Sequence, residues 1–133
     1  MKVLIVEDSP EIVEAVSIIM EMHWPDSKII STELGEQGIA LVESASPSVI
    51  ILDIGLPDIS GFEVLRRIRL FSEIPILLLT VTSDEPSIVK GLEWGADAYI
   101  VKPFKQQELL SKIQEALTRY NTEADKTLVH GQL

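Results

Sequence analysis

Four short apolar runs in this chain each end in a residue able to do polar chemistry. Val3–Val6 leads into Glu7 and Asp8, Val49–Leu52 into Asp53, Ile74–Leu79 into Thr80, and Ala98–Val101 into Lys102 followed by Pro103. Carboxylates brought together repel one another and raise their own pKa values unless a cation joins them. A hard divalent cation is the natural partner for Glu7, Asp8 and Asp53. Mg2+ prefers octahedral oxygen coordination, binds through one or two carboxylates, keeps several waters and completes its shell with a phosphate. Ligand type alone suits Ca2+ as well, although the chain lacks the acidic loop spacing of a dedicated calcium site.

Taken singly, each residue has a plainer use. Glu7 and Asp8 suit a helix N-terminus, where carboxylates are favoured. Asp53 could cap a turn or helix before Gly55, Thr80 could be an ordinary strand-end hydroxyl, and Lys102 a solvated surface charge. Taken together the plain readings fail, because they require independent coincidences at four strand ends.

For these ends to meet, the runs must be strands of one sheet. Five segments rich in β-branched and aliphatic residues read as strands: Val3–Val6, Lys28–Ser31, Val49–Leu52, Ile74–Leu79 and Ala98–Val101. Between them apolar residues recur at helical spacing, as in Ile12, Val13, Val16, Ile19 and Met20. Further helices are predicted at about 36–45, 60–70, 85–94 and 105–120. Ser9-Pro10, Ser60, and Ser83 or Asp84 before Pro86 supply helix starts. Strict strand-helix alternation predicts an α/β, doubly wound, parallel five-stranded sheet with five helices. The expected order is the flavodoxin-like 2-1-3-4-5, with a switch point between strands one and three, where ligands bind beyond the carboxyl ends of the strands. Strands one, three and four are apolar throughout and belong at the centre. The second strand ends in Ser31 and Thr32 and belongs at an edge.

At 133 residues the chain fits one domain, and its 46% hydrophobic content suits a packed core. After Tyr120 periodicity fades, so residues 1–121 are expected to form the domain and 122–133 a tail or truncated linker. No apolar run approaches the roughly 20 residues of a membrane span, and no secretory signal opens the chain, so a cytoplasmic location is expected. The absence of cysteine excludes disulfides, thiolate metal sites and cysteine nucleophiles. Eleven Lys and Arg against 21 Asp and Glu give a net charge of -10, which repels a nucleic-acid backbone.

Four motifs now stand together: Val6-Glu7-Asp8-Ser9-Pro10, Ile51-Leu52-Asp53-Ile54-Gly55-Leu56-Pro57-Asp58-Ile59-Ser60-Gly61, Leu79-Thr80, and Gly95-Ala96-Asp97-Ala98-Tyr99-Ile100-Val101-Lys102-Pro103-Phe104. With them the chain closely resembles the receiver domains of two-component response regulators, from about Lys2 to Tyr120. The resemblance implies that Asp53 takes a phosphoryl group from a sensor histidine kinase or a small phosphodonor. It implies Mg2+ bound by Asp8, Asp53 and the Gly55 carbonyl, with Glu7 acting through water. Lys102 and the Thr80 hydroxyl would stabilise phosphoryl oxygens, Thr80 and Tyr99 would form the conformational switch, and the Lys102-Pro103 bond would be cis. The domain would not be an enzyme in the ordinary sense, beyond self-phosphorylation and autodephosphorylation.

Output is expected through helix four, strand five and helix five. That surface would also form a homodimer, with Lys90–Glu108 and Asp97–Lys112 as intersubunit ion pairs. The Pro103-Phe104 run resembles regulators with winged-helix output, so DNA would be touched only by an absent output domain. Three positions depart from the pattern. Val81 is larger than the usual residue after Thr80, Gly55 offers no side chain to shield the phosphoryl group, and Ala98 replaces a common acid. A rival Mg2+ phosphatase would carry a second Asp where this chain has Gly55. A phosphorylation-independent module should have lost part of the acid–Thr–Lys set. A flavin-binding module would show a Gly/Ser/Thr-rich loop after the first strand.

Overall fold

A computed structural model of the chain describes residues 1–132, with side-chain surroundings for residues 1–122. Strands β1 (Lys2–Val6), β2 (Lys28–Thr32), β3 (Val49–Leu52), β4 (Ile76–Thr80) and β5 (Ala98–Val101) alternate with helices α1 (Pro10–His23), α2 (Gly35–Ala45), α3 (Gly61–Arg69), α4 (Glu85–Glu93) and α5 (Gln106–Gln132). The sheet is parallel throughout, in the order β2-β1-β3-β4-β5. This is the doubly wound, flavodoxin-like architecture expected from the alternation of strand and helix.

The core divides by strand parity, because successive strand side chains face opposite sides of the sheet. On one face Val3, Ile5, Val49, Ile51, Leu77 and Ile100 pack against Val16 and Met20 of α1 and Leu109 and Ile113 of α5. On the other, Leu4, Val6, Ile50, Leu52, Ile76 and Leu78 meet Ile39 and Val42 of α2 and Val64, Leu65 and Ile68 of α3. Burying each such aliphatic side chain is worth about 1.5–3 kcal/mol, so this double layer holds the sheet that carries the polar rim. Helix α4 buries only Gly91.

Helix starts follow local chemistry. Ser9 accepts from the Ile12 amide at 3.5 Å, Ser60 from Phe62 at 3.1 Å and Asp84 from Ser87 at 3.0 Å. Gly95, at φ 108°, closes α4 in the left-handed conformation that glycine adopts without a Cβ clash.

Two boundaries differ from the sequence reading. Strand β4 begins at Ile76, because Pro75 has no N–H for the ladder and the Ile74 amide is taken by the Ser72 hydroxyl at 3.2 Å. Helix α5 runs on to Gln132, past Tyr120. The apolar rhythm fades there, but no proline interrupts the backbone and Glu, Ala and Lys are good helix formers.

Candidate functional site

Register brings the polar residues to one rim. Val6 is paired with Leu52, Leu52 with Leu78, and Thr80 with Val101, so Glu7, Asp53, Thr80 and Lys102 emerge side by side. The ladder continues into the site: the Asp53 amide donates to Val6 O at 2.9 Å and the Lys102 amide to Thr80 O at 2.8 Å. Glu7, Asp53 and Thr80 are buried, while Asp8 is exposed. Each of Glu7, Asp8 and Asp53 offers a carboxylate oxygen, and these lie within 4.8 Å of one another.

Lys102 reaches into this group from the end of β5. Its ammonium donates to Glu7 Oε1 and, at 3.2 Å, to Asp53 Oδ2. The Gly55 amide donates to Asp53 Oδ1 at 3.2 Å, and the Ser9 amide to Glu7 Oε2 at 3.1 Å. Burial pushes Glu7 up to about 7, against the opposing pull of Lys102 and the Ser9 amide. Burial acts on Asp53 the same way. There the Lys102 charge, the Gly55 amide, the Thr80 hydroxyl and Glu7 outweigh it and hold the carboxyl below its ordinary value. Burial would lower Lys102, but its bond to Glu7 and the charge of Asp53 raise it above the usual amine range.

The site therefore holds an ionised Asp53 within reach of an ammonium, beside two further carboxylates. An all-oxygen donor set with one ammonium in contact fits a hard divalent cation, which would add the positive charge that Lys102 alone does not supply.

The Lys102–Pro103 peptide bond is cis. Thr80 Oγ1 accepts from the Thr82 amide at 3.3 Å, and the Tyr99 hydroxyl donates to Thr82 O at 2.6 Å. Residue 82 thus links the Thr80 hydroxyl to the aromatic ring of β5. Gly91 makes room for that ring, since a Cβ there would stand 3.1 Å from Tyr99 Cδ2 and 2.6 Å from Leu78 Cδ1. Val81 projects beside Thr80, with 71% of its surface exposed. At Gly55 no atom lies within 4 Å of where a side chain would begin.

Several contributors were not singled out from sequence. Gly61 lies so close to the site backbone that a Cβ would meet Asp53 O at 2.2 Å and Ile54 Cα at 2.6 Å, and its amide donates to Ile54 O at 2.8 Å. Its neighbour Phe62 meets α4 through Lys90, whose Nζ lies 4.4 Å from the Phe62 ring centroid and 4.5 Å from that of Trp94. Two of the other expected intersubunit residues, Asp97 and Lys112, also have partners within the chain. Asp97 Oδ2 accepts from Arg69 Nη2 at 3.2 Å and from the Ile76 amide at 2.9 Å, and Lys112 stands 3.8 Å from Glu115. Among the described residues, no helix is long and apolar enough to cross a membrane.

The model of the response regulator receiver domain family matches residues 3–114. The chain is 34% identical over 132 residues to the DNA-binding response regulator MtrA of Mycolicibacterium smegmatis, covering 99% of this chain and 57% of MtrA. It is 36% identical over 134 residues to the cell cycle response regulator CtrA of Brucella ovis, covering 100% of this chain and 57% of CtrA. The chain thus spans somewhat over half the length of these relatives. Among solved structures, a CheY-like receiver domain protein from Methanospirillum hungatei superposes with a TM-score of 0.83 at 30% identity, over 92% of this chain and 97% of that one. The BeF3-activated receiver domain of Klebsiella pneumoniae RstA superposes with a TM-score of 0.82 at 28% identity, over 88% and 98%.

Proposed function

This chain belongs to the response regulator receiver domain family, and from that premise we propose that it is the phosphoacceptor switch of a two-component phosphorelay, modified on Asp53 by a sensor histidine kinase. One observation carries the reading: the Asp53 carboxylate lies at the carboxyl end of β3, 3.2 Å from the Lys102 ammonium and clustered with Glu7 and Asp8.

An Asp53 carboxylate oxygen forms a bond to phosphorus as the P–N bond of the phosphohistidine breaks, and the bonding pair leaves with the imidazole. The residues that fit Mg2+ are Asp8, Asp53 and the Gly55 carbonyl, with Glu7 acting through water; when bound, the ion supplies neutralisation of charge on the phosphoryl oxygens. Lys102 turns its ammonium from the carboxylates to a phosphoryl oxygen, and the Thr80 hydroxyl donates to another. Autodephosphorylation is attack by water on phosphorus, with Asp53 leaving as the carboxylate. No side chain is assigned as general base for that water, which suits a slow timer. Turnover of external substrates is no part of this chemistry.

The conformational readout runs from Thr80 through residue 82 to Tyr99, and from there to the surface of α4, β5 and α5. That surface is the site proposed for a homodimer. Because Asp97 and Lys90 already hold intrachain partners, dimerisation would have to exchange those contacts for new ones. Residues 1–121 act as the receiver and 122–133 as the path toward an output domain. MtrA is a DNA-binding response regulator. By analogy DNA would be bound by that output domain, not by this acidic one, in a cytoplasmic regulator of transcription.

Beryllofluoride, which mimics an acyl phosphate when a carboxylate coordinates it, tests the reading. A bound 19F resonance is expected for the native chain with Mg2+, absent in Asp53→Asn. A bound signal in Asp53→Asn, or none in the native chain, would overturn it.

A further inference from the structure

Helix α2 begins at Gly35 with Leu34 in the N-cap position, and Leu34 has no side-chain oxygen to offer the free amides. Those amides go elsewhere. Gly35 N donates to Asp58 Oδ1 at 2.8 Å and Glu36 N to Asp58 Oδ2 at 3.0 Å, across 23 and 22 residues of sequence. Asp58 belongs to the loop that leaves Asp53, so α2 is capped by the loop that carries the phosphoacceptor. The bonds hold the exposed Asp58 carboxyl below its ordinary value, the Glu36 amide first and the Gly35 amide next.

The same turn is held twice more, once against the loop and α3 together and once by α3 alone. A Cβ at Gly35 would stand 2.7 Å from both Ile59 Cγ1 and Val64 Cγ2, so the bare glycine lies flush against them. Arg67 forks onto the Glu36 carboxylate at 2.7 and 3.0 Å. At its other end the loop is pinned by the Gly61 amide on Ile54 O. Between these anchors Gly55 is exposed and touches nothing where a side chain would be. Its amide donates to Asp53 Oδ1 at 3.2 Å and the Leu56 amide to Ile54 O at 3.1 Å, which fix the Asp53 side of the segment, while the Asp58 clamp fixes the other.

We infer that Asp58 is a positioning residue: by clamping the loop to the first turn of α2 it holds the Gly55 carbonyl where a divalent cation on Asp8 and Asp53 would need it. This deepens the proposed function and rests on it. Linkage makes the effect reciprocal, so a cation bound at the rim tightens the Asp58 clamp and shields the first amides of α2.

The test is Mg2+ titration by calorimetry, with NMR hydrogen exchange of the Gly35 and Glu36 amides, on the native chain and on Asp58→Ala, Asp58→Asn and Asp58→Ala with Leu34→Ser. Asp58→Ala is expected to weaken Mg2+ binding roughly tenfold, the scale for residues that orient metal ligands, and Asp58→Asn, which keeps one acceptor, by less. In the native chain Mg2+ should slow exchange at Gly35 and Glu36. Leu34→Ser restores a local cap to α2, so in the double variant thermal stability should recover while Mg2+ binding stays weak. That outcome separates positioning from simple helix support. If Mg2+ affinity in Asp58→Ala matches the native chain, or recovers fully with Leu34→Ser, the positioning role is overturned and the phosphoacceptor reading stands. If the native chain binds no Mg2+, both fall together.

Discussion

Lys102 and Asp53, 49 residues apart in sequence, face each other with Nζ 3.2 Å from Oδ2, and the same ammonium also holds Glu7. One cation thus bridges two buried carboxylates at the ends of β1 and β3. Removing one member of a buried ionic group leaves the rest uncompensated, which costs more than the group's net worth.

Lys102→Met should therefore destabilise the chain by about 3 kcal/mol. Added Mg2+ should restore part of that loss, because the cation replaces the missing charge. Urea midpoints with and without Mg2+ check both statements. An Mg2+ effect no larger in the variant than in the native chain would show that the two cations do not share the site.

The elevation of Glu7 to about 7 from 4.5 sets a pH dependence. A carboxyl raised in the folded state binds its proton more tightly there, so its contribution to stability is complete below about 4.5 and is lost as pH rises through about 7. Asp53 is shifted the other way, and its contribution is lost only as pH falls into the acid range. Glu7→Gln removes the first effect. Its stability relative to the native chain should rise from pH 5 to pH 8 in chelator. Mg2+ binding by the native chain should strengthen over the same window and release protons. A stability difference that does not change with pH would contradict the assignment to Glu7.

Gly61→Ala forces a methyl group into the Asp53 and Ile54 backbone. Overpacking of this kind costs about 1–3 kcal/mol. Because the clash falls on the carbonyl of Asp53, the proposed phosphoacceptor, phosphorylation from acetyl phosphate should slow by up to about a hundredfold, the scale expected when reacting groups are misplaced by about 1 Å. Melting curves and phosphorylation rates check the two effects separately.

Lys90→Gln should loosen α4. The helix buries only Gly91; Lys90 reaches across to the Phe62 ring of α3 while also lying over Trp94, the cap of its own helix, whose ring meets Phe62 edge-on. Losing these Lys90 contacts should cost about 1 kcal/mol and speed amide exchange in Glu85–Glu93 several-fold. Unchanged exchange there would mean that packing against β5 alone holds the helix.

The sheet and its order were legible because the strands are apolar runs at regular intervals, and parity then dictates both core layers. The rim was legible for the same reason: a polar residue ending an apolar strand has only the carboxyl edge of the sheet to occupy. What remained hidden depends on distance in sequence or on clearance. Asp58 caps a helix that starts 23 residues earlier, and no local pattern announces such a bond. Gly61 and Gly91 matter for the side chain they lack. Asp97 could be recognised as an acid, but its commitment to Arg69 and the Ile76 amide appears only once α3 and β4 are packed. The length of α5 was not legible because a fading apolar stripe does not by itself end a helix.

Intact mass after incubation with acetyl phosphate and Mg2+, beside a chelated sample and Asp53→Asn, tests phosphoacceptance at Asp53 most directly. The native chain should gain one phosphoryl group only when Mg2+ is present, and Asp53→Asn should gain none. An equal gain in Asp53→Asn, or a native chain that stays unmodified with Mg2+, would contradict it.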